Sequence, residues 1–258
     1  MVMSTRELTV AIEAAETAGK ILIEYYGKVR VSLKSDRSLV TEADVESEKR
    51  IRTILEGKFP TYSFLGEESE RRRMESEKTW VVDPLDGTTN YVMMNPFFDV
   101  SIALIQGSEP ILGVVHYPFL NETYSAEKGK GAFLDGKKVH VSSDTILEDS
   151  IITFCHGLDK ESTGRISRMF AHFKSINDKI RQLGAAALEL SYVACGRTSC
   201  FFMPGINPWD VLAGLMLVEE AGGMVSDFSG HAFSANSKDI LASNGKIHGQ
   251  LLEILSKT

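Results

Sequence analysis

The chain lacks the marks of several protein classes. It holds only 3 cysteines in 258 residues: Cys155, Cys195 and Cys200, an odd set at no metal-ligand spacing. Two of them sit in apolar runs, which predicts buried, reduced thiols. No apolar run approaches the length of a membrane span. The N-terminus, Met1-Val2-Met3-Ser4-Thr5-Arg6-Glu7, has no basic region followed by an apolar stretch, so no signal peptide is evident and a cytoplasmic location is expected. An excess of positive charge is also missing. The net charge is −7, which offers no broad basic field to nucleic acid or acidic lipid, and neither is an expected partner. Arg71-Arg72-Arg73, the only basic triplet, is flanked by acids and reads as a solvated loop. The six histidines form no cluster, and His116 and His140, in strand patterns, are expected to be structural. There is no internal repeat and no low-complexity segment.

What is present is ordinary globular composition, 43% hydrophobic and 24% charged. The length fits one large domain or two small ones. The polar stretch Ser142-Ser143-Asp144 is the expected boundary. It would divide residues 1–142, an α+β part carrying most candidate ligands, from residues 143–258, an α/β part carrying Asp210.

Apolar residues Leu8, Ala11, Ile12, Ala15, Ala18 and Leu22 recur at helical spacing after a Ser4-x-x-Glu7 capping box, and Gly27 suits the end of that helix. Thr41 is the expected N-cap of a second helix, with Asp44 in its first turn. Strands are expected at Tyr62–Leu65, Trp80–Asp83, Val100–Ile105, Ile111–Tyr117 and Thr123–Glu127, and a hairpin turn at Asp135-Gly136. Beyond the boundary strands and helices interleave. Strands are expected at Ile151–Cys155, Ile180–Leu183, Ser199–Met203, Met224–Asp227 and Ile240–Ser243. Helices are expected at Arg165–Phe173, Ala185–Ala194, Asn207–Ala221 and Leu251–Leu255. The pattern calls for layered helices and sheets, a mixed α/β (α+β) class.

The run Trp80-Val81-Val82-Asp83-Pro84-Leu85-Asp86-Gly87-Thr88-Thr89 concentrates the chemistry. An apolar strand stops at two carboxylates three apart, followed by glycine and two hydroxyls. Paired acids at a strand end suit a hard divalent cation, which takes oxygen ligands. Gly-Thr-Thr offers backbone N–H groups and hydroxyls to a phosphate. Candidate donors are Glu67, Asp83, Asp86, Asp210 and the Leu85 carbonyl. Each has a plainer reading alone. Asp-Pro-Leu-Asp-Gly is also a turn, Glu67-Glu68 a solvated acidic pair, Asp210 a helix-start acid, and Thr88 and Thr89 turn or cap residues. Only their conjunction favours a site.

These residues resemble the inositol monophosphatase family of Mg²⁺-dependent, Li⁺-sensitive sugar and polyol phosphatases. Leu39-Val40-Thr41-x-x-Asp44 looks like its first motif and Gly66-Glu67-Glu68-Ser69 its second. Trp80 to Asn90 looks like its signature. Asn207-Pro208-Trp209-Asp210-Val211-Leu212-Ala213-Gly214, followed by Glu220-Ala221-Gly222-Gly223, looks like its C-terminal motif. Four motifs in register, spanning nearly the whole chain, are specific where one would only suggest.

The resemblance implies a layered α-β-α-β-α sugar-phosphatase fold and a homodimer, with Tyr91–Phe98 and Arg181 as candidate interface residues and a core role equally open for the aromatics. It implies two to three Mg²⁺ ions per active site. Glu67, Asp83 and the Leu85 carbonyl would hold the first ion; Asp83, Asp86 and Asp210 the second; Glu67 would border a weaker third. Thr88, with Glu67, would orient the attacking water, and Asp44 would pair with Thr88 or metal-bound water. Asp86, Gly87, Thr88, Gly184, Ala185, Ala186 and Asp210 would contact substrate, with Gly87 and Thr88 N–H groups at the phosphate. The implied reaction is hydrolysis of polyol or sugar phosphate monoesters, inositol 1-phosphate foremost, with fructose 1,6-bisphosphatase or dual activity as the alternative. Nucleotide 3′-phosphates, histidinol phosphate, or a non-catalytic regulatory or RNA-binding role remain rivals; the intact acids oppose the last, since clustered carboxylates repel one another.

Two positions depart from the pattern. Met203 stands where the family often has an acid that contacts inositol hydroxyls, and a thioether accepts hydrogen bonds poorly. Ser38 stands where many members have an acid before Leu-Val-Thr, in a Lys34–Ser38 segment that resembles the family's mobile loop beside the third ion. Together with the short Ser69–Lys78 loop, which resembles prokaryotic members, Met203 points to a dual or broad sugar-phosphate phosphatase.

Overall fold

The computed structural model describes residues 4–34, 38–69, 76–234 and 236–255. The Arg71-Arg72-Arg73 triplet, the middle of the Lys34–Ser38 segment and most of the Ser69–Lys78 loop lie outside the described residues.

In chain order the elements begin with α1 (Arg6–Tyr25), β1 (Val31–Leu33), β2 (Leu39–Thr41), α2 (Glu42–Lys58) and β3 (Ser63–Gly66). Then come β4 (Lys78–Asp86), α3 (Thr88–Val92), β5 (Asp99–Gln106), β6 (Glu109–Tyr117), β7 (Glu122–Glu127), β8 (Gly131–Leu134) and β9 (Lys137–Val139). The second half holds β10 (Ile152–Phe154), α4 (Lys160–Ile176), β11 (Ile180–Arg181), α5 (Ala186–Ala194), β12 (Cys200–Pro204), α6 (Pro208–Glu220), β13 (Met224–Ser226), β14 (Asp239–Ser243) and α7 (His248–Leu255).

These elements stack as α–β–α–β–α. A seven-stranded sheet runs β3-β4-β5-β6-β7-β8-β9, and a five-stranded sheet runs β11-β10-β12-β14-β13. The chain passes from one sheet to the other between Val139 and Ile152, across Ser142-Ser143-Asp144. Helices α1 and α2 cover one face of the larger sheet, α5 and α6 lie between the sheets, and α4 and α7 cover the outer face of the smaller one. Three apolar cores follow. Leu22, Ile51, Trp80, Ile102 and Val114 fill the first, Ala103, Val115, Leu190, Phe201 and Leu217 the middle, and Phe173, Phe202, Leu241 and Leu251 the last.

The middle layer explains the near-continuous apolar character of α5 and α6. Eight residues of α6, Val211 to Val218, are buried, because sheets press on it from two sides. Packing is close enough to involve backbone. A Cβ at Gly113 of β6 would lie 2.5 Å from the Ala213 carbonyl oxygen of α6, so only glycine fits that crossing.

Several expectations shift at their edges. The N-cap of α1 is Thr5, whose hydroxyl accepts from Leu8 N, rather than Ser4. Glu7, one residue out of register for the expected capping box, turns instead to the Tyr62 hydroxyl and the Lys78 ammonium. Helix α4 starts at Lys160, capped by Asp159 through Ser162 N, five residues before the expected start. The hairpin β1–β2, exposed along β1, and the short α3 were not foreseen as elements. Tyr91 and Phe98 are core residues, packed edge-on with centroids 4.9 Å apart, which leaves Met93 and Met94, each 64% exposed, as the apolar surface of that segment. Cys155 and Cys200 are buried and all three cysteines are free. His116 is buried with Nδ1 2.9 Å from the Thr123 hydroxyl, and burial pushes its imidazole down to about 4. Among the described residues no helix is long and apolar enough to cross a membrane.

Candidate active site

Strand β4 carries its apolar residues into the core and then breaks register. Its pairing with β5 shifts between Asp83 and Asp86, a bulge that re-aims side chains. Asp83 Oδ1 accepts from Leu85 N at 3.0 Å, closing the Asp-Pro-Leu turn. Ser47 of α2 donates to the Pro84 carbonyl at 3.1 Å and pins the same turn from behind. Gly87 follows with φ 87°, and α3 begins at Thr88.

Helix α2 supplies the second wall. Thr41 and Asp44 cap each other. Asp44 Oδ2 accepts from Thr41 N at 2.9 Å and from the Thr41 hydroxyl at 2.6 Å. The other oxygen, Oδ1, lies 3.3 Å from the Thr88 hydroxyl, which also reaches the Leu85 carbonyl at 3.1 Å. One hydroxyl proton serves one of these acceptors at a time. Asp44 is buried, and desolvation holds its carboxyl above the usual range.

The Gly66-Glu67-Glu68 turn is built on Glu48 of α2, which accepts from Glu68 N at 2.8 Å. A Cβ at Gly66 would lie 2.2 Å from that carboxylate, so a side chain there would displace Glu48 from Glu68 N. Lys34, at the end of β1, places Nζ 2.8 Å from Glu67 Oε1 and 2.5 Å from Glu68 Oε1. Burial pushes Glu68 up to about 7.

From the other sheet, Asn207 and Asp210 open α6 as a capping box, with Asp210 Oδ2 accepting from Asn207 N at 2.9 Å. Burial, with Glu67 nearby, pushes Asp210 up to about 7. Asp83 and Asp86 are held well above the usual carboxylate range, by burial first and then by the other acids. Asp86 Oδ2 accepts from Ala187 N at 2.7 Å, linking β4 to the start of α5.

These residues meet at one cavity of about 270 Å³. Its lining includes Glu67, Asp83, Leu85, Asp86, Gly87, Thr88, Gly184, Ala186 and Asp210. Of the expected site residues, Asp44 stands behind Thr88 and Ala185 is buried beside Gly184. A larger cavity of about 730 Å³, walled by residues such as Leu65, Leu212, Met216 and Phe233, contains none of these acids.

Residues missed by sequence reasoning support the site from behind. Glu189 of α5 is fully buried and accepts from Gly184 N at 2.8 Å, Leu183 N at 3.2 Å and the Cys155 thiol at 3.1 Å. Asn90 Nδ2 donates to the Leu183 carbonyl at 2.7 Å and the Phe97 carbonyl at 2.8 Å. Asp99 sits opposite Asp86 across β4–β5, fully buried, and neither of its oxygens has a hydrogen-bond partner among the described residues. Burial pushes it up to about 8. Strand alternation offered one signal. Asp99 shares a face with Ser101 and Ala103, opposite the core residues Val100, Ile102 and Leu104.

The donor set is all oxygen and mostly anionic, which fits a hard divalent cation. Among the described residues no three such side chains form a ready metal cage. The reason is local: Glu67 turns to Lys34, Asp210 to Asn207, Asp83 to Leu85 N and Asp86 to Ala187 N. Like charges in a small volume settle on whatever donors surround them.

The profile of the inositol monophosphatase family matches residues 4–258. The chain belongs to that family. A fructose-1,6-bisphosphatase/inositol-1-monophosphatase of Thermotoga maritima is 37% identical over 97% of this chain and 96% of its own length. Inositol monophosphatase 2 of Solanum lycopersicum is 38% identical over 96% of this chain and 97% of its own. Among solved structures, the extragenic suppressor protein suhB of Bartonella henselae superposes with a TM-score of 0.93 at 37% identity, covering 98% and 99% of the two chains. As an inositol monophosphatase family member the protein is a phosphoric monoester hydrolase, and the family is in general metal-dependent.

Proposed function

We propose that the protein hydrolyses phosphate monoesters of polyols and sugars with Mg²⁺, inositol 1-phosphate foremost. The observation that carries this reading is the convergence of Glu67, Asp83, Asp86, Asp210 and the Leu85 carbonyl with the Thr88 hydroxyl at one cavity. In this reading Glu67, Asp83 and the Leu85 carbonyl hold one ion, Asp83, Asp86 and Asp210 a second, and Glu67 borders a weaker third position. When bound, the ions lower the pKa of water and offset charge on the phosphoryl and leaving oxygens.

The chain's own residues then have defined tasks. Thr88, held by Asp44 and the Leu85 carbonyl, orients the attacking water together with Glu67. Gly87 and Thr88 present backbone N–H groups to the phosphate. Gly184, Ala185 and Ala186 shape the alcohol side, with Asp86 and Asp210 at its edge. No cysteine, serine or histidine nucleophile is called for. We infer a homodimer, with Met93 and Met94 as exposed apolar contributors beside Arg181, and a two-part division at residues 142 and 143.

A second reading has its own support. Met203 lines the same cavity, a thioether reads hydroxyls poorly, and the Thermotoga maritima relative carries both activity names. Dual hydrolysis of fructose 1,6-bisphosphate is therefore included. Phosphate release from inositol, fructose, glycerol and nucleotide phosphates, with Mg²⁺ and with chelator, tests both readings. Absence of Mg²⁺-dependent release from every ester would end them, and a preference above about a hundredfold for one substrate would end the dual reading.

A further inference from the structure

We propose that His156 determines specificity at this site by binding a second anionic group on the alcohol side, which makes a bisphosphorylated sugar a better substrate than the matching monophosphate. The inference rests on the phosphatase reading above and names the substrate class within it.

Four of the described residues lining the cavity are acids: Glu67, Asp83, Asp86 and Asp210. His156 is the one lining side chain among the described residues that can carry positive charge. It lies two residues beyond the end of β10, and Gly157 N bonds to the Pro204 carbonyl at 2.8 Å, so the chain ends of β10 and β12 are tied together at the cavity. Around it Cys155, Leu158, Ala186 and Met203 line the same cavity and offer aliphatic carbon and weakly polar sulfur. Asn207, another polar side chain of the lining, is partly committed, since its Nδ2 donates to Asp210 Oδ2 at 3.1 Å.

The imidazole has a defined orientation. His156 Nδ1 lies 2.8 Å from the Gly157 carbonyl oxygen. A carbonyl only accepts, so Nδ1 carries the proton and Nε2 is the ring atom left for a ligand. Nε2 has no hydrogen bond among the described residues, and the side chain is only half-buried. A neutral ring offers Nε2 as an acceptor to a hydroxyl. An imidazolium ring offers Nε2–H to a phosphate oxygen in a charge-assisted bond. The acids gather where the scissile phosphate and its cations belong, and the nearby Lys34 ammonium is committed to Glu67 and Glu68, so an anionic group elsewhere on the substrate has His156 as its partner.

The test compares fructose 1,6-bisphosphate, fructose 1-phosphate and inositol 1-phosphate as substrates of the Mg²⁺-loaded full chain, in wild type and in the variants His156→Ala, His156→Gln and His156→Lys. Wild type should prefer the bisphosphate over fructose 1-phosphate in kcat/KM. In His156→Ala that ratio should fall about tenfold or more, mainly through KM, as expected for a lost charge-assisted contact. His156→Lys should restore most of the ratio and His156→Gln should not. An unchanged ratio in His156→Ala, no wild-type preference, or rescue by glutamine equal to that by lysine overturns the inference while leaving the phosphatase reading intact. Failure of wild type to release phosphate from any of the three esters instead overturns the phosphatase reading. Thermal melts of each variant identify a folding defect, and the lysine variant then decides the question alone, since it must keep the bisphosphate preference.

Discussion

The Lys34 ammonium lies 2.8 Å from Glu67, the acid proposed to hold metal and orient water. It also contacts Glu68 at 2.5 Å, and its pKa is raised by both carboxylates against the cost of its burial. The lysine therefore supplies to Glu67 the positive charge that a divalent cation would otherwise supply.

Replacing Lys34 with Met should separate the two partners. The metal-free variant is expected to be less stable by about 1 kcal/mol, because Glu67 and Glu68 lose a partly exposed ion pair. Its Mg²⁺ affinity is expected to rise about threefold or more, since the ion no longer competes with the ammonium. Calorimetric titration with Mg²⁺ reads this directly, and weaker Mg²⁺ binding in the variant would count against competition.

Thr88→Ala should lower kcat by about a hundredfold, in the range of a lost proton-positioning group. Mg²⁺ affinity should change by less than about threefold, because the hydroxyl is no metal ligand in the proposed scheme. Thr88→Ser should recover much of the rate. Equal loss of rate in both variants would show that the methyl group, and not the hydrogen bond to Asp44 or Leu85, is what matters.

Glu189 anchors the Leu183-Gly184 turn from inside the protein through two hydrogen bonds, and a third comes to it from the Cys155 thiol. Glu189→Leu leaves buried N–H groups at Leu183 and Gly184 without their acceptor, at a cost of about 1–3 kcal/mol for such groups. KM for polyol phosphates should rise more than kcat falls, because the turn lies on the alcohol side. Glu189→Gln keeps an acceptor oxygen and should hold KM near the wild-type value.

Stability should fall with rising pH in the presence of chelator. Glu68, Glu189 and Asp210 are pushed up to about 7 and Asp99 to about 8 by burial. In the unfolded chain such acids titrate near 4. Each therefore contributes stability that is full below about pH 4 and is lost as pH rises through its folded value. From about pH 5 to 8.5 the melting temperature should decline, and Mg²⁺ should flatten the decline by neutralising the cavity acids. A chelated protein that gains stability from pH 6 to 8 would contradict this.

Helix α2 was legible from Thr41 onward because the cap, Asp44 and the apolar spacing all lie within a few turns of one another. The Asp83 to Thr88 run was legible for the same reason, and Glu67 and Asp210 joined it through motif resemblance. Hairpin β1–β2 was hidden because each strand is three residues long and the Val31-Ser32-Leu33 alternation is too short to stand out, with both apolar residues exposed. Helix α3 was hidden because five residues hold too little periodicity.

Local order and ligand identity thus depended on neighbours in sequence, where caps, turns and periodicity act over a few residues. Tertiary structure decided the rest through contacts between distant segments. It brought Lys34 to Glu67, seated Asp99 behind Asp86 across two strands, and turned Glu189 back to the Gly184 turn. It also brought His156 into the lining of the cavity that holds the acids. A side chain's partners, protonation and exposure are properties of the packed volume around it, and that volume exists only once the two sheets have closed on α5 and α6.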